Sequence, residues 1–416
     1  MLKKRSHSKT GLGSWTVMVY MVAYDSVFRN IEIENELENM RDAIKRHPGV
    51  QIVAQADRLG EGMTRHFVTA DGLNLEDEEI RQTNSGSEKT ISDFITFGMR
   101  KHPADHYLVV FWGHGFGPAG MHYHGQYVRP EEMSRALRQG CGLFKSPIDI
   151  VAFMSCQMSV IELAYELSVW PLLKLMYVPF KKVASHVVAS QGTVVPNESF
   201  PYDEILSMLS SAADNATTVG RKIVGILNGK TSSGTGVRFD APFSLVDVGG
   251  AKKVADALKT LVSDIVATNP FKTNHSMRPI QEAMHDALEG AHTHDLSLLD
   301  LGRLGRHFGE LSVITTPNTP DRSLLERVRA AGAQLSQAVD EAFVLHRHEG
   351  AGHTDTGVSI FCPTHHNPGS KVAKKIGMKD IPTVEQATDV LKYPVLQFAK
   401  HTKWNQVVHQ AKTAGV

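Results

Sequence analysis

The sequence predicts an α/β fold, a three-layer α/β/α sandwich with a mostly parallel central sheet and a largely helical C-terminal part. Three observations carry this. Two apolar runs, YLVVFWGHG at 107–115 and IDIVAFMSCQM at 148–158, have the continuous hydrophobicity of strands buried on both faces. Strand-like and helix-like segments alternate over the first 200 residues, the pattern of βαβ units with helices on both faces of a sheet. From Tyr202 onward, helical periodicity dominates.

Taken in order, residues 15–23, WTVMVYMVA, are β-branched and aromatic enough for a central strand. Ile33, Leu37, Met40 and Ile44 then form one apolar stripe at helical spacing, suited to packing on a sheet. QIVAQAD at 51–57 is a second strand, and RHFVT at 65–69, after a glycine-rich turn, is its hairpin partner at an edge. A helix over 87–100 leads into the 107–112 strand. A glycine- and histidine-rich loop follows, then a helix around 130–139, the 148–154 strand and a helical SVIELAYELSVW. VASHVVAS at 183–190 is a further strand, with a loop over 191–201. Beyond it, helices are expected over 203–213, 216–228, 249–267, 276–288 and 322–345, interrupted by strand-like SLVDV and by GVSIFCP at 357–363. The expected organisation is a flexible basic tail over 1–14, a core over 15–215, and a mostly helical region over 216–416. The late strand near 357–363 is expected to rejoin the core sheet, and VITTPNTPD at 313–321 is the best linker candidate.

Both long apolar runs end in a residue able to do chemistry, His114 in one and Cys156 in the other. Active sites of open α/β sheets gather at the carboxyl ends of strands, so neighbouring strands would present imidazole and thiol side by side. That is the pairing a cysteine nucleophile needs, because the thiolate attacks and a nearby base generates it. A strand-to-helix turn at Cys156 would add the field of a helix N-terminus. The ordinary alternatives are a satisfied strand-end histidine and a buried, inert cysteine. Cys141 and Cys362 read as small buried hydrophobes, and the three cysteines have no spacing for a disulfide framework or a zinc site.

Composition excludes several classes. The 44 basic and 44 acidic residues cancel, so no nucleic-acid surface is expected. No run of 18 apolar residues exists to cross a membrane. The first fifteen residues have basic character but no apolar core; an intracellular protein is expected, cytoplasmic or, if that basic stretch is a targeting segment, organellar or mitochondrial. The 21 histidines cluster in HYH at 122–124, HRHEGAGH at 346–353 and HH at 365–366, none with an established metal spacing. A monomer is expected.

The set WTVMVYMVA, QIVAQAD, YLVVFWGHG, IDIVAFMSCQMSVIELAYEL, VASQGTVVPNESFPY and GVSIFCP, in this order, resembles the clostripain family of cysteine peptidases, which have the caspase-like fold. The resemblance implies protein or peptide substrates and a Cys-His dyad of His114 and Cys156, with backbone N–H groups of Gly115 and Cys156 as the oxyanion site and no required cofactor. It also implies a substrate pocket at Met154, Ser190 and Gln191. Here the sequence departs from the family. An Asp two residues before the nucleophile serves Arg or Lys substrates in the family, and this chain has Met154 there. Gln191 stands where an acid is often seen; Asp203, Glu204 and Glu198 are possible substitutes. Calcium, which some members bind, has one candidate ligand, Asp25, a poor oxygen cage by itself. Family zymogens are cut after a basic residue between the His and the Cys, which points to Arg129, Arg135, Arg138 and Lys145. A catalytically degenerate relative serving as a protein-binding scaffold is the alternative function, motivated by Met154.

Overall fold

In the computed structural model, the described residues are 15–23, 29–75, 80, 84–142, 148–169, 182–194, 199–210, 215–229, 242–268, 278–289, 291, 298–312, 322–347, 355–362 and 393–414. The basic tail, the 313–321 linker candidate, the HH pair, Asp25, Lys145 and Glu198 lie outside them.

Five parallel strands form the centre of a nine-stranded sheet. They are β1 (Trp15–Val22), β2 (Gln51–Arg58), β5 (His106–Trp112), β9 (Ile148–Met154) and β10 (Ala184–Ser190). Their order is β10-β9-β5-β1-β2, so the strands ending near His114 and Cys156 are neighbours. Antiparallel strands close both edges. Beyond β2 lie β3 (Gly62–Thr69) and β4 (Gly72–Leu75), so the expected hairpin partner is present with one more strand outside it. Beyond β10 lie β11 (Phe243–Asp247) and β13 (Val344–Arg347).

All eight residues of β1 are buried, as its unbroken hydrophobicity requires. The two-residue strand period sorts them onto two faces. Met18, Tyr20, Val22, Val109, Phe111, Val151 and Phe153 belong to one core, and Trp15, Val17, Val19, Met21, Leu108, Val110, Trp112, Ile150, Ala152 and Met154 to the other. Phe111 and Phe153 stack across β5 and β9 with centroids 5.5 Å apart, worth about 0.5–1.5 kcal/mol beyond the area they bury. The second face is covered by α1 (Asn30–Arg46), α5 (Tyr202–Ser210) and α6 (Ala216–Leu227), whose apolar stripes enter the same core. The first is covered by α2 (Glu88–Lys101), α3 (Pro130–Cys141), α4 (Ile161–Ser168) and α7 (Ala251–Thr268). This is the expected three-layer sandwich.

The C-terminal helices α8 (Arg278–Glu289), α9 (Leu301–Gly309), α10 (Arg322–Ala342), α11 (Gln397–Thr402) and α12 (Trp404–Ala414) extend the first core around α7 and α4. Two features depart from the expected organisation. The core is not confined to residues before 216, because β11, β13 and α7 all join the main body. The late strand, β14 (Ser359–Phe361), does not rejoin the main sheet; it pairs antiparallel with β12 (Leu298–Asp300) and makes one parallel bridge with Val160. The edge beyond β11 is taken by β13, and β14 meets β12 and the loop after Cys156 instead.

Candidate active site

The parallel register of β5 and β9 places Phe111 beside Phe153 and Trp112 beside Met154. His114 and Cys156 each lie two residues beyond that last pair, at the same edge of the sheet. After Trp112 the chain leaves the sheet through a small three-stranded ribbon, β6 (His114–Gly115), β7 (Met121–Tyr123) and β8 (Gln126–Val128), in which His114 pairs with His122. His114 is 5% exposed, with the Phe116 ring centroid 6.2 Å from its own. The ribbon is anchored to β2 by His124 Nε2, 2.9 Å from Asp57 Oδ2. Burial pushes the Asp57 carboxyl up, while Ser85 and His124 pull it back.

Both glycines of WGHG are dictated by space. Gly113 has φ +147°, and a Cβ there would meet the Tyr123 ring at 2.9 Å. A Cβ on Gly115 would lie 2.4 Å from the Cys156 carbonyl oxygen and 2.9 Å from Ser155 Cβ. The backbone beside His114 therefore rests directly on the backbone that carries Cys156.

Cys156 is partly buried, and its thiol donates to the Val194 carbonyl at 3.8 Å. The next residue, Gln157, has φ +57°, a left-handed conformation that costs a non-glycine residue about 1–2 kcal/mol. Its N–H donates to the Gly192 carbonyl at 2.9 Å, and the Ser159 N–H donates to the Ser190 carbonyl at 2.9 Å. Helix α4 begins only at Ile161. The expected helix-dipole contribution to the thiol is thus corrected: the macrodipole acts over about the first turn, and 157–160 are spent instead on bonds to the neighbouring strand end and to β14.

The residues expected to line a substrate pocket divide. Met154 is 4% exposed, opposite Trp112 in the register of β5 and β9 and in the same apolar core as Val188, Val194 and Phe200. The Ser190 hydroxyl accepts from the Gly192 N–H at 3.0 Å, closing the turn after β10. Gln191 is 3% exposed, and its amide bonds into the C-terminal half: Nε2 donates to Asp300 Oδ2 at 3.0 Å and to Ser359 Oγ at 3.1 Å, while Oε1 accepts from the Gly357 N–H at 2.7 Å. Among the substitute acids, Asp203 is paired with Arg46 and His47, at the end of α1 opposite the Cys156 edge. Those partners hold its carboxyl below the usual range. Glu204 is exposed on the first turn of α5.

The expected cleavage positions also meet the structure. Arg129 precedes α3 and bonds Glu132, Arg135 pairs with Glu88, and Arg138 is inside α3. The Arg138 guanidinium donates to the Leu167 and Val169 carbonyls at 2.8 and 3.1 Å, and burial pulls its pKa down to about 10. Peptide bonds held in a packed helix do not enter a protease cleft without unfolding, so Arg135 and Arg138 are poor cut sites. Among the described residues no group of three or more His, Cys, Asp or Glu side chains gathers as a metal site, and no helix is long and apolar enough to cross a membrane.

A model of the clostripain family matches residues 19–408. No curated protein matches the chain. Among solved structures, an inactive zymogen C11 protease from Parabacteroides distasonis is similar at 16% identity and a TM-score of 0.58, covering 94% of this chain and 98% of that one. A secreted C11 cysteine protease from Bacteroides thetaiotaomicron, in complex with an irreversible peptide inhibitor, is similar at 15% identity and a TM-score of 0.58, covering 94% and 99%. At these identities the likeness is one of fold, over nearly the whole length of both chains.

Proposed function

The chain belongs to the clostripain family, and from that premise we propose that it is an endopeptidase in which Cys156 is the nucleophile and His114 its base. It is a cysteine peptidase by family. The observation that supports this assignment of the dyad is the adjacency of the two strand ends, pressed together at Gly115 and Cys156.

His114 takes the proton of the Cys156 thiol, and the thiolate attacks the scissile carbonyl carbon. Negative charge develops on the carbonyl oxygen, held by the backbone N–H groups of Gly115 and Cys156. As the tetrahedral intermediate collapses, the carbon–nitrogen bond breaks and His114 returns its proton to the leaving amine. Water, deprotonated by His114, then attacks the thioester, releasing the carboxylic product and restoring the thiol. This sequence consumes only water and calls for no cofactor. Calcium is not assigned a role, because the candidate named for it, Asp25, is a poor oxygen cage by itself.

For the residue at the cleavage position we infer a neutral side chain. Met154 offers an apolar wall where the family's acid stands, and a buried guanidinium left unpaired would cost several kcal/mol. Gln191 and Asp203 are committed elsewhere, which supports the same reading. The substrates are accordingly proteins or peptides cleaved after an uncharged residue. The alternative, a binding scaffold without turnover, draws on the same Met154.

A peptide-library screen with the wild type, Cys156→Ala and His114→Ala tests the proposal. Cleavage after neutral residues is expected from the wild type alone, with iodoacetamide labelling at Cys156. Undiminished hydrolysis by purified Cys156→Ala would sink the mechanism. A wild type that turns over nothing while holding a partner protein supports the scaffold.

A further inference from the structure

A buried polar network runs from the loop carrying Cys156 into the C-terminal half. Ser159, on that loop, uses every polar atom it has. Its N–H donates to the Ser190 carbonyl, its own carbonyl accepts from the Ser359 N–H at 2.8 Å, and its hydroxyl donates to the Gly357 carbonyl at 2.6 Å beside Ser244 Oγ. Gln191, at the end of β10, uses its amide in full against Gly357, Ser359 and Asp300. Asp300 is held in turn: Oδ1 accepts from the Thr356 hydroxyl at 2.6 Å and from the Arg303 N–H at 2.8 Å, and Oδ2 accepts from the Thr356 N–H. All of these side chains except that of Arg303 are buried.

Polar groups in such numbers are an expensive way to fill space, since apolar residues of the same volume would pack as well or better. Fully satisfied, however, they admit one geometry and penalise every other, because any shift leaves a buried donor or acceptor without its partner. Here the geometry they define joins three segments: 157–160 after the thiol, 190–192 after β10, and 355–359 with Asp300 from the C-terminal half.

We propose that Gln191 is a positioning residue for the reaction: together with Ser159 it locks the Cys156 loop and the end of β10 onto the 355–359 turn, so that the thiol is set opposite His114 only while the C-terminal half is docked. This rests on Cys156 being the nucleophile. The Gln191 amide bonds Gly357, Ser359 and Asp300, and acts on the thiol through the backbone of 157–160 and 190–192.

The test compares Gln191→Met, which keeps the length and loses the three bonds, with Thr356→Val and Thr356→Ser, which remove and keep the hydroxyl on Asp300. Readouts are kcat and KM separately, the pH profile of Cys156 alkylation by iodoacetamide, and the thermal transition. Misplacement of a reacting group costs roughly tenfold to a hundredfold in kcat with KM changed by less than about twofold. That loss is expected for Gln191→Met and Thr356→Val, with slower alkylation of Cys156 and near wild-type behaviour in Thr356→Ser. Should Gln191→Met fail to fold, the Thr356 pair decides. Variants that melt earlier yet keep wild-type kcat and alkylation profile would show a merely structural network and overturn the proposal. Hydrolysis persisting in Cys156→Ala would overturn the dyad itself, a distinct result.

Discussion

A Cβ placed on Gly115 would sit 2.4 Å from the carbonyl oxygen of Cys156. The residue after the proposed base is thus in backbone contact with the proposed nucleophile, and the space between them admits only hydrogen. Gly115→Ala must push the two strand ends apart. Overpacking of this kind costs about 1–3 kcal/mol, and displacement of reacting groups by about 1 Å costs up to about a hundredfold in rate. We expect kcat of Gly115→Ala to fall by more than tenfold with a modest drop in melting temperature. Steady-state kinetics beside a thermal melt check this, and a wild-type kcat would mean that the two strand ends need no such contact.

Helix α4 carries two buried carboxyls that hold the C-terminal segments in place. Glu162 Oε1 accepts from the Phe361 N–H at 2.9 Å and the Tyr393 hydroxyl at 2.7 Å, and Glu166 Oε1 accepts from the Phe398 N–H at 2.9 Å. Burial pushes both up to about 7 from an ordinary 4.5. The folded pKa exceeds the unfolded one, so the stability linked to these groups is complete below about pH 4.5 and is lost as pH rises through about 7. Each contributes on the order of 1–3 kcal/mol to that difference. The wild type is expected to melt at higher temperature at about pH 5.5 than at about pH 8. Glu36 shifts the same way, so the decisive quantity is the slope of Glu162→Gln relative to wild type. A shallower slope is expected; identical slopes would remove Glu162 from the account.

Much of this was legible in the residues. The central strands announce themselves because burial on both faces demands unbroken apolar runs, and β1 has eight buried residues of eight. Helices α5, α6, α7, α8 and α10 lie within a few residues of their expected spans, since a one-sided apolar stripe is a local signal. His114 and Cys156 were visible as chemistry at two strand ends. What escaped was long-range. That Gln191 faces Asp300 and Gly357 depends on the docking of segments more than a hundred residues away, and periodicity carries no such information. Asp300 left one trace, an Asp immediately before the helical LGRLGRHFG, where it caps α9. The pairing of β14 with β12 was hidden for the same reason: a three-residue strand specifies no partner.

Met154 should decide what is cut. Its side chain belongs to the same apolar core as Trp112, Val194 and Phe200, and Cys156 packs against that core. Met154→Asp restores the acid that the family carries two residues before the nucleophile. A carboxylate buried in that apolar core should have its pKa raised by desolvation and should lower the melting temperature. A basic substrate side chain would supply the missing partner and recover part of that loss on binding. The ratio of kcat/KM for an Arg or Lys substrate over its neutral counterpart is therefore expected to rise in Met154→Asp by at least about tenfold, or 1.4 kcal/mol. The gain should fade as pH drops and the carboxylate takes up a proton. Matched peptides differing only at the cleavage position measure this directly. An unchanged ratio, with Met154→Asp folded and active, would place the specificity pocket away from residue 154.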